Sequence, residues 1–104
     1  MADALETANV KLVTIIAPIT LADAIASDLR DLGVSGCTMA KVEGWGKHGA
    51  RQFGLNDEPN IRVETLVSAE VCRTILASVD AKAAEQGLVA FALDVEAVPR
   101  RHFA

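Results

Sequence analysis

A glycine-spaced, cationic stretch lies near the middle of the sequence, over residues 36–49. Its first half, which reaches Val42, has the apolar and β-branched residues of a strand. Its second half contains glycines at positions 44, 46 and 49, which let a backbone bend and approach a ligand closely. Between and just beyond these glycines stand one large ring, one titratable ring and two cations, Trp45, His48, Lys47 and Arg51. Such a loop can present backbone N–H groups and cations to a phosphate, although a plain turn uses glycine in the same way.

The composition limits which classes of protein are possible. A chain of 104 residues, of which 51% are hydrophobic, is long and apolar enough to fold as one domain with one modest core. Its net charge of −4 argues against a general nucleic-acid-binding protein, which would carry a basic face. No apolar run has the length of a membrane span, and the first residues lack the pattern of a secretory signal. We therefore expect a cytoplasmic protein that does not insert into a membrane.

Residue types that would support metal binding or catalysis are not grouped in the sequence. Cys37 and Cys72 fall in different predicted elements, which favours two buried, unreactive thiols over a disulfide or a zinc site. Glu43 and Glu64 would make a carboxylate pair for acid–base chemistry, but no nucleophile or orienting group accompanies them. We interpret them as carboxylates on strand surfaces. The sequence therefore predicts no metal site, no catalytic residue and no catalytic cofactor, and we expect the protein not to be an enzyme.

Four apolar or alternating runs predict strands, and two segments between them have helical spacing of apolar residues. The strands are predicted over residues 10–17, 37–43, 61–67 and 88–95. The first helix is expected to begin at Thr20 as N-cap and to end at Gly33, and the second to begin at Ser68 and to end at Gly87. With right-handed crossovers, the order βαββαβ gives a ferredoxin-like fold, a four-stranded antiparallel sheet with both helices on one face.

The remaining segments belong to the same single domain, which spans residues 1–104. Residues 1–9 are predicted to form a flexible tail. Residues 45–60 form a loop far longer than a tight hairpin, and loops of this length are typically functional. Met39 and Phe91 are assigned to the core. Because the helices cover only one face of the sheet, while the first strand is apolar on both faces, we expect self-association to cover the second face.

Five short motifs, taken in order, resemble those of the PII-type signalling proteins of the nitrogen regulatory PII superfamily. They are Lys-Leu-Val-Thr-Ile-Ile-Ala-Pro (11–18), Leu-Gly-Val-Ser-Gly-Cys-Thr (32–38), Lys-Val-Glu-Gly-Trp-Gly-Lys (41–47), Asn-Ile-Arg-Val-Glu (60–64) and Phe-Ala-Leu-Asp-Val-Glu-Ala-Val (91–98). Together the motifs cover most of residues 10–102. The resemblance implies a homotrimer with three clefts between subunits, each binding an adenine nucleotide. It also implies that residues 45–60 are a T-loop, which changes conformation with ligand and docks on a transporter, an enzyme or a regulator.

The same resemblance implies roles for individual residues. Thr38 would contact adenine or ribose, and Leu66 would line the base pocket. The backbone at Gly46 and the side chain of Lys47 would face phosphate, with an arginine from near the end of the chain reaching phosphate across the interface. The implied nucleotide-binding residues are Thr38, Gly44, Gly46, Lys47, Leu66, Arg100 and Arg101. The implied partner-binding loop carries Trp45, His48 and Arg51, with packing at the loop base and plain solvent exposure as the alternative interpretations.

Three departures from the family pattern narrow the expected ligand. The run Gln-Gly-Leu-Val (86–89) stands in place of the Gly-Asp-Gly-Lys type of loop that cradles a triphosphate, which favours ADP or AMP. His48 and Asn60 stand where nitrogen-sensing members have the glutamine and lysine that hold magnesium and 2-oxoglutarate. The chain has no tyrosine, which excludes uridylylation on that residue. These departures favour the divergent PII-like proteins linked to bicarbonate transport and carboxysomes, with bicarbonate as a further ligand.

Two function classes follow from these observations. The first is a non-enzymatic sensor of adenine nucleotides that regulates a partner, such as a bicarbonate transporter or a carbon-metabolism protein, through its T-loop. The second is a structural or assembly trimer without nucleotide sensing. A metal-binding trimer with the same βαββαβ plan is a third alternative, but no cluster of Cys and His supports it.

Overall fold

Runs of valine, isoleucine and leucine form the long strands of the protein, as their β-propensity and alternation predict. The computed structural model describes residues 4–46, 49–50 and 59–103. Its elements are β1 (Ala8–Pro18), α1 (Ala22–Asp31), β2 (Thr38–Val42), β3 (Trp45–Gly46), β4 (Gly49–Ala50), β5 (Asn60–Val67), α2 (Ala69–Gln86) and β6 (Val89–Ala97). Two 3₁₀ helices, Ile19–Leu21 and Arg100–Phe103, follow β1 and β6.

The four long strands form one antiparallel sheet in the order β2-β5-β1-β6. The first strand therefore lies in the interior of the sheet, between β5 and β6, while β2 and β6 are its edges. The register sets Ile15 opposite Val63 on one side and opposite Ala90 on the other. This order of strands, with the two helices on one face, confirms the predicted ferredoxin-like fold.

Alternate side chains of the central strands point into the hydrophobic core. Val13 of β1 and Val63 of β5 are 0% exposed, and they pack with side chains from both helices in one buried cluster. The helix residues of that cluster are Ile25 and Leu29 of α1 and Cys72 and Ile75 of α2. Fully burying one such aliphatic side chain stabilises the fold by roughly 1.5–3 kcal/mol. The position of Cys72 in this cluster confirms the predicted burial of that thiol.

The opposite face of the sheet, which we call the open face, is apolar and exposed in the single protomer. In register, Leu12 lies between Leu66 and Leu93, and Thr14 lies opposite Phe91. Phe91 is 48% exposed and Leu93 is 56% exposed. The apolar residues of the open face are Leu12, Ile16, Leu66, Val89, Phe91 and Leu93, and Thr14, Arg62 and Glu64 share this face with them. Contiguous exposed apolar surface of this kind marks an interaction site more often than a solvated surface.

Two residues that the sequence assigned to the core are exposed. Phe91 lies on the open face, away from the helices, and Met39 lies on the edge strand β2, where its side chain is exposed. The assignment of both to the core is therefore wrong for the single protomer. Alternation along a strand predicts which side chains share a face, but it does not say whether that face is covered.

Three of the predicted helix-terminating residues act as expected, and one does not. Ser68 caps α2, because its hydroxyl accepts a hydrogen bond of 3.2 Å from the backbone N–H of Val71. Gly33 and Gly87 have φ of 86° and 67°, the left-handed conformation expected after a helix. Thr20 is not the cap of α1. It lies inside the 3₁₀ helix Ile19–Leu21, and the N-cap of α1 is Leu21, whose side chain makes no capping hydrogen bond.

Three features extend the predicted elements. β1 begins at Ala8, so Ala8 and Asn9, which were expected in the flexible tail, pair with β6 instead. Within the long loop, β3 and β4 form a short antiparallel pair in which Trp45 lies opposite Ala50. Neither this pair nor the 3₁₀ helix Arg100–Phe103 was predicted.

In the part of the chain that the structure describes, no helix is long and apolar enough to cross a membrane.

Candidate functional site

A groove of about 450 Å³ lies at the end of the sheet where β2 begins and β5 ends. We call it the Thr38 groove. Its apolar lining comes from Leu12 and Leu66, which are register partners on β1 and β5. Its polar lining includes Thr38 and Glu64, which are register partners on β2 and β5. The volume falls in the range of about 300–1,000 Å³ that is typical of small-molecule sites.

A buried hydroxyl of β5 binds the segment that leads into β2. Thr65, which is buried, donates a hydrogen bond of 2.7 Å from Oγ1 to the carbonyl oxygen of Gly36. Because Gly36 is separated from Thr38 only by Cys37, this bond ties the groove-lining segment to β5. A groove with a fixed backbone edge can bind a ligand without first having to order that edge.

Cys37 is exposed and lines the Thr38 groove. The prediction that it is buried is therefore wrong. Cys37 stands just before β2, in the irregular segment that connects α1 to β2. Among the residues that the structure describes, no group of three or more His, Cys, Asp or Glu side chains is arranged to hold a metal ion.

The 3₁₀ helix Arg100–Phe103 closes one side of the groove. His102 and Phe103 line the groove together with Leu66. Their rings meet edge to face, with centroids 5.0 Å apart and an interplanar angle of 79°. The backbone N–H of His102 donates to the carbonyl oxygen of Pro99 at 3.0 Å, and Arg100 Nη1 lies 3.5 Å from Glu6 Oε2. Nothing in the sequence singled out Phe103, because its place in the groove depends on how the chain folds back after β6.

The structure brings only some of the expected nucleotide-binding residues together. Thr38 and Leu66 line one groove. Arg100 and Arg101 belong to the adjoining 3₁₀ helix and are exposed, but they do not line the groove, and Arg100 is paired with Glu6. These residues stand at one end of the sheet.

The glycine end of the expected site lies elsewhere. Gly44 follows the far end of β2, and at roughly 3.3 Å per strand residue it is roughly 20 Å from Thr38. Gly46 lies in β3, beyond it. One protomer therefore does not bring the glycines to the Thr38 groove. Trp45 also lies in β3, while Lys47, His48 and Arg51 fall outside the described residues.

Asn60 stands at the same far end of the sheet, where β5 begins. It pairs in register with Pro18 of β1 and with Val42 of β2, and it is 3% exposed. Its Oδ1 atom is buried and accepts no hydrogen bond from any residue that the structure describes. A buried amide oxygen without a donor is unfavourable by roughly 1–3 kcal/mol. Within the described residues, the base of the long loop therefore holds a buried acceptor that receives no hydrogen bond.

The sequence matches the family model of the nitrogen regulatory protein P-II over residues 10–102. No curated protein sequence matches the chain. Among solved structures, a PII-like signalling protein from Thermus thermophilus is 29% identical, with a TM-score of 0.79 over 96% of this chain and 100% of that one. CPII from Thiomonas intermedia, a nitrogen regulatory PII-like protein, has a TM-score of 0.79 in two structures.

The first CPII structure, bound to ADP, AMP and bicarbonate, is 21% identical and aligns over 90% of this chain and 92% of that chain. The second, bound to ADP and bicarbonate, is 23% identical and aligns over 90% and 93%. At these identities the two CPII structures share the fold of this chain. The match to the family model covers far more than half of the sequence.

Proposed function

Because the chain belongs to the nitrogen regulatory protein P-II family, we propose that it is a non-enzymatic regulatory protein that binds an adenine nucleotide in clefts between the subunits of a homotrimer. The observation that carries this proposal is the Thr38 groove. It joins an apolar surface, Leu12 and Leu66, to polar groups on Thr38 and Glu64. A flat base with polar edges is the kind of ligand that such a groove accommodates.

The placement of the glycine end of the site supports a cleft shared between protomers. Thr38 begins β2 and Gly44 lies beyond its far end, so we infer that the two serve one ligand when they come from different chains. The open face supplies the apolar surface through which copies of the chain would associate. In this arrangement Gly44, Gly46 and Lys47 of one protomer face the phosphates, while Thr38 and Leu66 of the next protomer hold the base.

The short connection between α2 and β6 favours a diphosphate or monophosphate over a triphosphate. Gly87 caps α2 in the left-handed conformation, and only Leu88 separates it from β6. That connection leaves no loop long enough to wrap a γ-phosphate. CPII, which has the same fold, is bound to ADP and AMP together with bicarbonate. We therefore propose ADP or AMP as the nucleotide and bicarbonate as a second ligand.

The long loop is the proposed contact with a protein target. We assign partner binding to Trp45, His48 and Arg51, which lie among and just after the phosphate-facing glycines, so that ligand binding at the loop base can change how the loop is presented. The target would be a cytoplasmic carbon-metabolism protein or the cytoplasmic side of a bicarbonate transporter. The Oδ1 atom of Asn60, at the loop base, accepts no hydrogen bond from the described residues, and we propose it as an acceptor for a donor on a ligand or on the loop.

Isothermal titration of the purified protein with ADP, AMP and ATP, with and without bicarbonate, tests the proposal. We expect saturable binding of ADP or AMP at micromolar concentrations, weaker binding of ATP, and loss of most of the affinity in Lys47→Ala. Lys82→Ala is the matched control, because Lys82 lies on α2 and pairs with Asp28 across the helices, away from the groove. Absence of heat and of a thermal shift with every nucleotide would refute the proposal.

The alternative function, a structural trimer without nucleotide sensing, has support from one observation. The apolar open face favours association whether or not a ligand binds. A trimer whose melting temperature does not respond to any adenine nucleotide would favour this alternative.

A further inference from the structure

We propose that Phe103 is the base-stacking residue of the Thr38 groove and that it sets the preference of the site for an aromatic base. This inference rests on the proposed nucleotide binding and adds a residue to it. Phe103 is half-buried and lines the Thr38 groove beside Leu66. It also lines the adjoining groove that reaches Asn9 and the start of α2. The ring therefore stands between two open spaces rather than inside the core.

The turn that carries the ring is tied to the neighbouring parts of the chain, and the ring itself contacts His102. The 3₁₀ turn is closed by the bond from the His102 N–H to the carbonyl oxygen of Pro99, 3.0 Å long. Arg100 of the same turn is anchored by Glu6, and Thr7 Oγ1 donates to Glu96 Oε2 at 2.8 Å, which ties the segment before β1 to β6. A ring that is already positioned loses little conformational freedom when a ligand binds against it.

The geometry of the ring pair leaves aromatic surface for a ligand. His102 and Phe103 meet edge to face at 79°, and such a contact uses only one face of one ring. The other lining of the groove is aliphatic, with Leu66 39% exposed. A nucleobase between an aliphatic side chain and an aromatic ring buries both of its faces, while its polar edge remains free to reach Thr38 and Glu64. Stacking of this kind tolerates any base but requires a flat aromatic ligand.

Substitution of Phe103 separates stacking from simple packing. Removing a base-stacking aromatic residue weakens binding by roughly ten-fold, so we expect Phe103→Ala and Phe103→Leu to bind ADP roughly ten-fold more weakly. Phe103→Tyr and Phe103→Trp should bind ADP within about two-fold of the parent. A purely structural residue would show the reverse order, because leucine preserves apolar packing better than the larger tryptophan does. Val98→Ala is the matched control, since Val98 is an exposed aliphatic residue just before the same turn.

A second measurement observes the ring in the parent protein and uses only the conservative variant Phe103→Tyr, to assign its signal. The chain contains three phenylalanines, Phe53, Phe91 and Phe103, so the parent labelled with fluorophenylalanine gives three ¹⁹F signals. The signal that disappears in Phe103→Tyr identifies residue 103. Saturation with ADP should shift this signal through the ring current of the base, while inorganic pyrophosphate, which has no base, should not shift it.

The outcomes that overturn this inference differ from those that overturn nucleotide binding. If the parent binds ADP but Phe103→Ala and Phe103→Leu bind it equally well or more tightly, the stacking role is wrong and the proposed function stands. The same conclusion follows if ADP binds while the ¹⁹F signal of residue 103 stays unchanged. If the parent binds no adenine nucleotide, the proposed function itself fails.

Discussion

Thr65 donates a hydrogen bond of 2.7 Å to the carbonyl oxygen of Gly36, across the boundary between β5 and the segment that enters β2. The two residues are distant in sequence, and their contact joins β5 to the segment that leads into Thr38. The candidate site therefore depends on a buried polar group of the core, and a substitution there should affect both stability and ligand binding.

Replacing Thr65 by valine keeps the β-branched shape and removes only the donor. Because the carbonyl of Gly36 loses its partner, we expect the free energy of unfolding to fall by about 1–2 kcal/mol. ADP affinity should also fall, since the edge of the groove is no longer fixed. Urea denaturation and titration with ADP measure the two effects. Thr74→Val is the control, because the Thr74 hydroxyl donates to the backbone carbonyl oxygen of Glu70 on an exposed helix surface. Equal losses of stability and of ADP affinity in the two variants would contradict this account.

Ile75 is the largest fully buried side chain among the described residues, and it joins α2 to the sheet. Truncation to alanine leaves a cavity under the helix, so Ile75→Ala should lower the free energy of unfolding by about 2–5 kcal/mol, and Ile75→Val by about 0.5–1.5 kcal/mol. Thermal and denaturant unfolding provide the measurement. Leu5→Ala should have an effect within about 0.5 kcal/mol, since Leu5 is exposed. A small effect at Ile75 would mean that α2 does not pack as described.

The ion pair of Lys11 and Asp94 makes stability depend on pH in the alkaline range. The hydrogen bond from Lys11 to the Asp94 carboxylate, and the negative charge of that carboxylate, raise the pKa of Lys11 above 10.5. A raised folded-state pKa stabilises the fold fully below 10.5, and this contribution is lost as the pH rises through the folded value. At neutral pH the parent should therefore have a higher melting temperature than Lys11→Met. At strongly alkaline pH the two melting temperatures should become equal.

The control for this pair is Lys41→Met, because Lys41 is an exposed lysine on the edge strand β2. Its difference from the parent should change less with alkaline pH. A difference between the parent and Lys11→Met that stays constant, or grows, on the alkaline side would show that the ion pair does not contribute as described.

A charge on the open face should prevent trimer formation. Leu93→Asp places a carboxylate in the apolar surface that the proposed interface buries, where an unpaired charge is strongly unfavourable. Light scattering after size-exclusion chromatography should change from a trimer to a monomer. Arg73→Glu, on the exposed surface of α2, should remain a trimer. If Leu93→Asp is also a trimer, the subunits associate through another surface.

Local chemistry accounts for the parts of the fold that could be predicted from the sequence. The alternation around Val63, the cap at Ser68 and the helix stop at Gly87 each depend on neighbouring residues. Thr20 has the residue type of a cap, but a 3₁₀ turn forms over Ile19–Leu21. The N-cap of α1 is therefore Leu21, one residue after Thr20. Cys37 was expected to be buried because a free thiol is apolar, but it lies in the connection just before β2, where it is exposed.

The candidate site also contains residues that could be expected from the sequence and one that could not. Thr38 and Leu66 were expected from a family resemblance, and the register of β2 and β5 brings them to one groove. Phe103 could not be expected, because its position depends on the path of the chain after β6. The glycine motif follows a strand, as expected of a phosphate loop, but the length of β2 separates it from the groove in a single chain.

Because of the length of β2, nucleotide binding should depend on the concentration of the protein. With Thr38 at one end of the strand and Gly44 at the other, a ligand held by both requires two chains, and its occupancy is linked to the association of those chains. Dilution below the dissociation constant of the assembly should then weaken nucleotide binding without any change in the groove. By the same linkage, a nucleotide should promote assembly, so that its level in a cell would govern how much of the protein is assembled as well as how much is occupied.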